Sequence, residues 1–277
     1  MHQPKLVIAI PASLVSDTPH LREKTFRAGL VARAAAIFRV QEILVYRDRA
    51  GLSRSDVKLL LNVLQYMETP QYLRKILFPI DPQLRYLGIL PPLQTPHHPA
   101  EVRGELESGA YREGVLLRFD EGGSMVDVGI GKPIKVFTPR LASKTRVTVR
   151  VDGPNQFRLV SRDQVPHYWG YRVKDCGTTL GEALRRSGAD LVIATSKHGN
   201  PIKEKIKDVA DRFTNAGKCL VAFGSPEEGL KEILARENLN VEDVANFIVN
   251  MVPNQGTETV RMEEAIYACL AILNTLS

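Results

Sequence analysis

A double change of texture limits the folds open to this chain. Over the first 93 residues, apolar runs alternate with stretches of helical period. KLVIAIPAS, starting at Lys5, reads as a short buried strand, residues 22–39 as a helix, and EILVY as a second strand. That βαβ unit implies a parallel sheet. Ser53 or Ser55 can cap a further helix over residues 56–67, and Pro70 ends it before QYLRKILFP. Pro91, Pro92, Pro96 and Pro99 then exclude both a helix and a central strand, which marks a boundary. From 102 to 165 the helical period is gone. Short alternating runs (GVLLRF, SMVDVGI, IKVFT, RVTVRV, FRLVS) are divided by Gly-Gly, Gly-Lys-Pro and Asp-Gly-Pro turns, the pattern of a small all-β barrel, most simply an OB-like one. After YWGYRV the α/β alternation returns: DLVIATS, a helix over 201–216, CLVAFGS, PEEGLKEILARE, NFIVNMV and a last helix over 261–276. The expected architecture is therefore an α/β domain of residues 1–93 and 165–277 with a parallel sheet, interrupted by an inserted OB-like domain of residues 94–164.

The chain of 277 residues is 44% hydrophobic and 25% charged, ordinary for a globular protein with a sizeable core. Its 37 basic against 31 acidic side chains leave a net charge of +6, which suits a polyanionic partner without demanding one. Cys176, Cys219 and Cys269 are far apart and odd in number, so neither a disulfide framework nor a zinc site is signalled. With no leader-like start and no apolar run near the roughly 18 residues of a membrane span, a soluble cytoplasmic protein with no membrane association is expected.

In open parallel sheets, ligands bind beyond the carboxyl ends of the strands. The loops to inspect follow Ala194, Phe223 and Val252. ATSKHGN offers Thr195, Ser196 and Gly199. FGSPEEGL sets Gly224 and Ser225 at a strand end, Pro226 in a first helical turn, and Glu227 and Glu228 beside the helix N-terminus. In VPNQGTETVRMEEA, Thr259 can cap the last helix, with Glu263 and Glu264 in its first turns. Each loop taken singly has the composition of a capped turn; together they suggest a site. Neither G-x-G-x-x-G nor G-x-x-x-x-G-K-[ST] is present, so a dinucleotide or polyphosphate has no support, whereas a cationic ligand carrying an adenosine fits.

These residues carry a resemblance. VAFGSPEEGL followed by NFIVNMVPNQGTETVRMEEAIYACLAIL resembles the last two motifs of the SPOUT (SpoU-TrmD) methyltransferase superfamily. RAGLVARAAAIFRVQEILVY is similar to its first motif, N-x-G-x-x-x-R, with Gly29 and Arg33 matching and Arg27 standing where the family has asparagine. The β block resembles the insertion of the archaeal and eukaryotic branch, so the likeness spans essentially the whole chain. It implies a knotted SPOUT domain with a C-terminal trefoil knot, interrupted by the OB-like barrel, and S-adenosylmethionine held in the knot. Carried over by position, Thr195 and Ser196 form one wall, Gly224, Ser225, Glu228 and Gly229 a second, and Asn250, Met251 and Val252 with Thr257, Thr259 and Val260 a third.

Arg33 is the catalytic candidate implied by the resemblance. It shares a helical stripe with Phe26, Leu30 and Ile37, an unusual place for a charge without a partner. Arg27 in the asparagine position argues against ribose chemistry and toward a base, with uridine N3 as the specific candidate. In the insertion, seven cations between residues 135 and 162 stand against Asp152 alone. Arg140, Lys144, Arg146 and Arg150 are the RNA-binding candidates among them, with Phe119, Phe137 and Phe157 as possible stacking rings. His97 and His98 read as structural rather than metal-binding, with no metal expected, and Trp169 with Tyr168 and Tyr171 as a packing hinge. The last helix has an apolar stripe of Met262, Ile266, Cys269 and Leu273, which suggests a homodimer. The leading reading is a methyltransferase acting on RNA, ribosomal by preference. A ribose 2′-O-methyltransferase, a non-catalytic RNA-binding or ribosome-assembly protein on the same scaffold, and an unrelated α/β enzyme remain alternatives.

Overall fold

The structure is a computed structural model that describes residues 3–99, 106–120, 122–138 and 141–276. In chain order, strand β1 (Lys5–Pro11), helix α1 (Leu21–Ile37), β2 (Glu42–Tyr46), α2 (Arg54–Glu68) and α3 (Gln71–Leu77) come first. Then follow β3 (Tyr111–Asp120), β4 (Gly123–Asp127), β5 (Ile134–Val136), β6 (Arg146–Gly153) and β7 (Gln156–Val160). The rest are β8 (Arg172–Asp175), α4 (Leu180–Ser187), β9 (Leu191–Pro201), α5 (Ile202–Asn215), β10 (Lys218–Ala222), α6 (Leu230–Ala235), α7 (Val241–Val244), β11 (Phe247–Asn250) and α8 (Met262–Asn274). Two compact units result: Met1–Gln65 with Gln83–Pro91 and Tyr171–Ser277, and Tyr66–Pro82 with Pro92–Gly170. α3 thus groups with the β-rich unit rather than with the α/β unit.

The first unit is built on a sheet in the order β11-β9-β10-β1-β2-β8, with every neighbouring pair parallel. β1 lies inside it, and its continuous run Val7 to Ile10 is fully buried, as a strand covered on both faces requires. Alternate residues Val7, Ala9, Leu44, Tyr46, Val192, Ala194, Leu220 and Ala222 face one core, which Leu184 of α4, Leu234 of α6 and Val241 of α7 close. α1 departs from expectation. Its buried side is Thr25, Arg27, Ala28, Gly29, Val31, Ala32 and Ala34 to Ala36, while Phe26 and Ile37 of the bulkier stripe are exposed. Small residues let this helix approach closely: a Cβ on Gly29 would meet Leu90 Cδ2 at 2.4 Å. α8 differs too, because Met262, Ile266, Cys269 and Leu273, expected to form a dimer stripe, are buried inside the unit.

The second unit holds an antiparallel sheet in the order β5-β4-β3-β6-β7, whose two edge strands approach each other in a near-barrel. Val126, Val128, Ile134, Val136 and Val149 fill it, with Phe157 packed against them. Asn155, at φ 55°, makes the tight turn between β6 and β7. Beside the sheet lies a buried polar network. Glu68 accepts from Arg146 at 2.5 Å and Arg162 at 2.8 Å. Arg146 also donates to Glu113 at 3.0 Å, and Glu113 takes the Trp169 indole N–H and the Thr148 hydroxyl as well. Burial alone would push the Glu68 carboxyl up, but Arg146, His97 and Arg162 hold it well below the usual carboxylate range. His97 and His98 both bond the Glu68 carbonyl. Among the described residues no helix is long and apolar enough to cross a membrane, and no His/Cys/Asp/Glu group is disposed to hold a metal.

Candidate functional site

The candidate cofactor loops sit side by side because β11, β9 and β10 are neighbours in one sheet. Their details differ from the sequence expectation. β9 does not end at Ala194 but runs on to Pro201. Its pairing with β11 skips: Ile248 opposes Ala194, yet Val249 opposes Asn200, so residues 195–199 stand outside the ladder. Gly199 allows this, since a Cβ there would lie 2.9 Å from the Ile248 carbonyl oxygen. Thr195 Oγ1 donates to the Ala222 carbonyl at 2.9 Å, tying β9 to β10. Ser196 Oγ accepts from His198 N–H at 3.2 Å.

After β10 the chain turns before any helix starts. Ser225 N–H donates to the Glu228 carbonyl at 2.8 Å, and Glu228 N–H donates back to Ser225 Oγ at 3.0 Å. Pro226 therefore lies in a turn rather than in a first helical turn, and α6 begins only after Gly229. Gly224 is required by the turn itself, because a Cβ there would lie 2.8 Å from the Glu228 carbonyl oxygen. The Glu228 carboxylate is clamped by Arg236 Nη1 at 2.6 and 2.7 Å, and Glu227 pairs with Arg49.

After β11, Asn250 Nδ2 donates to the Lys197 carbonyl at 2.8 Å, while its Oδ1 accepts from Val252 N–H at 2.9 Å. Met251 is buried, and Lys197 Nζ donates to the Glu258 carbonyl at 2.7 Å. Gln255 Nε2 reaches the Thr257 and Glu258 carbonyls, and Thr257 Oγ1 the Thr259 carbonyl, each at 2.9 Å. Thr259 and Val260 precede the helix, but Thr259 does not cap it. Arg261 occupies that position, and Glu264 accepts its N–H at 2.9 Å. Of the twelve candidate side chains only Glu228 carries a charge, and Arg236 neutralises it. What remains is hydroxyls, one amide, apolar groups and backbone in a non-ladder conformation. That donor set suits an adenosine-bearing sulfonium and offers no cation for a phosphate.

The arginines of α1 exchange the roles that periodicity suggests. Arg27, which stands at the asparagine position of the resembled motif, is buried: its Nε and Nη2 donate to Glu263 at 3.0 and 3.2 Å, and its Nη1 to Thr18 Oγ1 at 2.8 Å and to Asp17. Glu263 is therefore not a solvent-facing dipole partner but the buried counter-ion of Arg27. Arg33 is half-buried on the outer face, where it acts electrostatically on Tyr267 of α8.

The RNA candidates divide. Arg140 lies outside the described residues. Lys144 is exposed at the turn before β6, in a left-handed conformation with φ 66°. Arg150 lies 5.9 Å above the Tyr111 ring and 3.5 Å from Asp152. Arg146 belongs to the network with Glu68 and Glu113, so its charge is spent inside the unit rather than offered to phosphate. Phe119 and Phe137 are exposed, whereas Phe157 is a core ring.

Three residues escaped sequence reasoning: Arg47, Asp48 and Arg236. Asp48 is buried, with Oδ1 accepting from Ser13 N–H at 3.1 Å and Oδ2 without a partner, as are Ser13 Oγ and Ser16 Oγ. Arg236 donates to the Asp48 carbonyl as well as to Glu228, so the loop after β2 is bound to the loop after β10. The available signal was the run Arg47-Asp48-Arg49 directly after a buried strand, a place where charges need partners.

With this geometry in place, comparison with known proteins assigns the class. A family model described as "Putative RNA methyltransferase" matches residues 5–273. The chain belongs to this family of RNA methyltransferases. Among its relatives, an uncharacterized protein of Halobacterium salinarum is 36% identical over 96% of this chain and 97% of its own length. The 28S rRNA (uridine-N(3))-methyltransferase of Drosophila melanogaster is 34% identical over 97% of this chain and 61% of its own length. The human protein of the same name is 34% identical over 97% of this chain and 77% of its own length.

Proposed function

We propose that this chain uses S-adenosylmethionine to methylate N3 of a uridine in ribosomal RNA. The observation that carries the reading is the likeness to the fly and human uridine-N3 enzymes, which runs through both units and every candidate loop. In this reading the α/β unit is a SPOUT domain whose final strand and helix form a trefoil knot, and the β-rich unit is an OB-like RNA grip. The protein acts as a cytoplasmic homodimer, with the outer face of α1, bearing Phe26 and Ile37, at the interface. Thr195, Ser196, Gly224, Ser225, Glu228, Gly229, Asn250, Met251, Val252, Thr257, Thr259 and Val260 hold the cofactor, mainly through hydroxyls and backbone. When bound, S-adenosylmethionine supplies an electrophilic methyl group. A uridine imide nitrogen attacks only after its proton has passed to solvent water, and the resulting negative charge spreads onto the flanking carbonyl oxygens. Arg33, half-buried on the same stripe of α1 as Phe26 and Ile37 and so at the edge of the proposed interface, balances that charge. Arg27 holds α1 through Glu263 and so sets where Arg33 stands.

Incubation with deproteinised ribosomal RNA and isotope-labelled S-adenosylmethionine, followed by nucleoside mass spectrometry, tests this. 3-Methyluridine is the expected product. A label on the ribose would overturn the base assignment, and no label on RNA, with the cofactor unbound by calorimetry, would favour a non-catalytic role.

A further inference from the structure

The carboxyl edge of the parallel sheet has a second opening. Beyond the ends of β2 and β8, a cleft of about 360 Å³ lies against one face of α2. That volume falls within the roughly 300–1,000 Å³ usual for small-ligand sites. Its wall carries Arg47, Arg54 and Lys58 against the single acid Asp175, and Asp175 is already paired with Arg47 Nη2 at 2.9 Å. Leu52, Val57 and Leu61 make an apolar floor, and the amides of Asn62 and Gln65 stand further along the helix. Cations for a phosphate, amides for polar edges and an apolar floor for a ring together make the chemistry of one nucleotide.

Two details set this cleft apart from an ordinary solvated helix face. Arg47 Nη1 is enclosed and has no acceptor, although the neighbouring Nη2 is paired. An enclosed guanidinium N–H without an acceptor is costly, and because the Arg47 side chain as a whole is 28% exposed, a turn of the guanidinium would bring that N–H to a phosphate oxygen in the cleft. Arg54 is the first residue of α2, where the helix dipole disfavours a cation, and the acid of that turn, Asp56, is spent on Lys24 at 2.6 Å. A charge that opposes local stability calls for another reason to be there.

We infer that this cleft holds a nucleotide of the RNA substrate flanking the methylated one, with its phosphate between Arg47, Arg54 and Lys58. The inference rests on reading this chain as an RNA methyltransferase. The placement suits that role because the cleft and the cofactor loops share one edge of one sheet. β10 and β2 are two strand spacings apart, about 10 Å, a distance that neighbouring nucleotides can span. The loop that supplies Arg47 is also bound to the β10 loop, through Arg49 to Glu227 and through Arg236 to the Asp48 carbonyl and Glu228. A nucleotide seated in the cleft therefore steadies the loop that carries one cofactor wall.

The test is Arg54→Glu combined with Lys58→Glu, beside a control of equal charge change, Lys203→Glu with Lys207→Glu on the exposed face of α5. Filter binding of deproteinised ribosomal RNA is measured across a salt series, with S-adenosylmethionine affinity by calorimetry on the same proteins. The cleft variant should lose roughly 0.7 in salt slope per contact, about 1.4 in all, while the cofactor binds as before. The control should keep the parent slope. An unchanged slope in the cleft variant, or an equal loss in the control, overturns the inference while leaving the functional reading intact. Failure of the unaltered protein to bind ribosomal RNA would overturn both.

Discussion

Arg27 is a buried arginine whose guanidinium is shared between Glu263 on α8 and the Asp17–Thr18 turn after β1. A pair this deep is stable only while intact, since removing one partner strands the other charge in the interior. Arg27→Asn, which introduces the asparagine of the SPOUT motif that the sequence resembles, should therefore destabilise by about 3–5 kcal/mol in urea unfolding, whereas Arg27→Met with Glu263→Met should recover most of that loss. His98 offers a second test. Burial and the neighbouring His97 push its pKa down to about 4, so the folded protein binds fewer protons than the unfolded chain below the ordinary value of 6.5. Its contribution is full above 6.5 and lost as pH falls toward 4, amounting to about 3 kcal/mol. Glu68, with its carboxyl held low, keeps its own contribution until far more acid conditions. A melting series from neutral pH down to 4 should fall less steeply for His98→Gln; an identical pH dependence would remove His98 as the cause.

At the scale of elements, much of the layout was legible, and the reason lies in burial. β1 and β2 are continuous apolar runs because both faces are covered, and EILVY stands as read, at Glu42–Tyr46. The alternating runs from Gly114 likewise became an antiparallel sheet. Helix faces were harder. On α1 the large residues Phe26 and Ile37 point outward and the alanines inward, because close packing against Leu90 and α8 needs small side chains; apolar bulk therefore misreported the core. On α8 the same stripe logic named true core residues and assigned them to a partner. Turn chemistry hid the rest: hydrogen bonds between Ser225 and Glu228 delay α6, and the skip in β9–β11 pairing leaves no trace in hydropathy. The outer face of α1 now bears the dimer proposal. Phe26→Asp with Ile37→Asp should leave the melting temperature of the protomer nearly unchanged, since both side chains are half-exposed, and convert the particle to a monomer by light scattering. A parent protein that is already monomeric at micromolar concentration would remove that interface.

For the molecule as a whole, cofactor binding and the RNA grip of the β-rich unit should be separable, because these two sets of candidate residues lie in different compact units. Charge counting along the chain gave Arg146 the same standing as Lys144 and Arg150, since sequence shows that a cation is present and not what it is paired with. Arg146 is bound to Glu68 and Glu113, so Arg146→Ala would take a shared cation from two buried carboxylates and loosen the β-rich unit itself. The informative variant is thus Lys144→Ala with Arg150→Ala. It should lower the salt slope of RNA binding by up to roughly 1.4, from two lost phosphate contacts, and leave S-adenosylmethionine affinity and the unfolding midpoint unaltered. Arg33→Ala should do the reverse, preserving both affinities while lowering the methylation rate about a hundredfold or more, the loss expected when a charge acts only on the reacting base. Single-turnover rates, RNA binding and calorimetry on the same two proteins separate these outcomes. If Arg33→Ala methylates at the parent rate, its place on α1 beside Tyr267 is structural, and the group that balances the uridine charge must come instead from the loops at the carboxyl edge of the sheet.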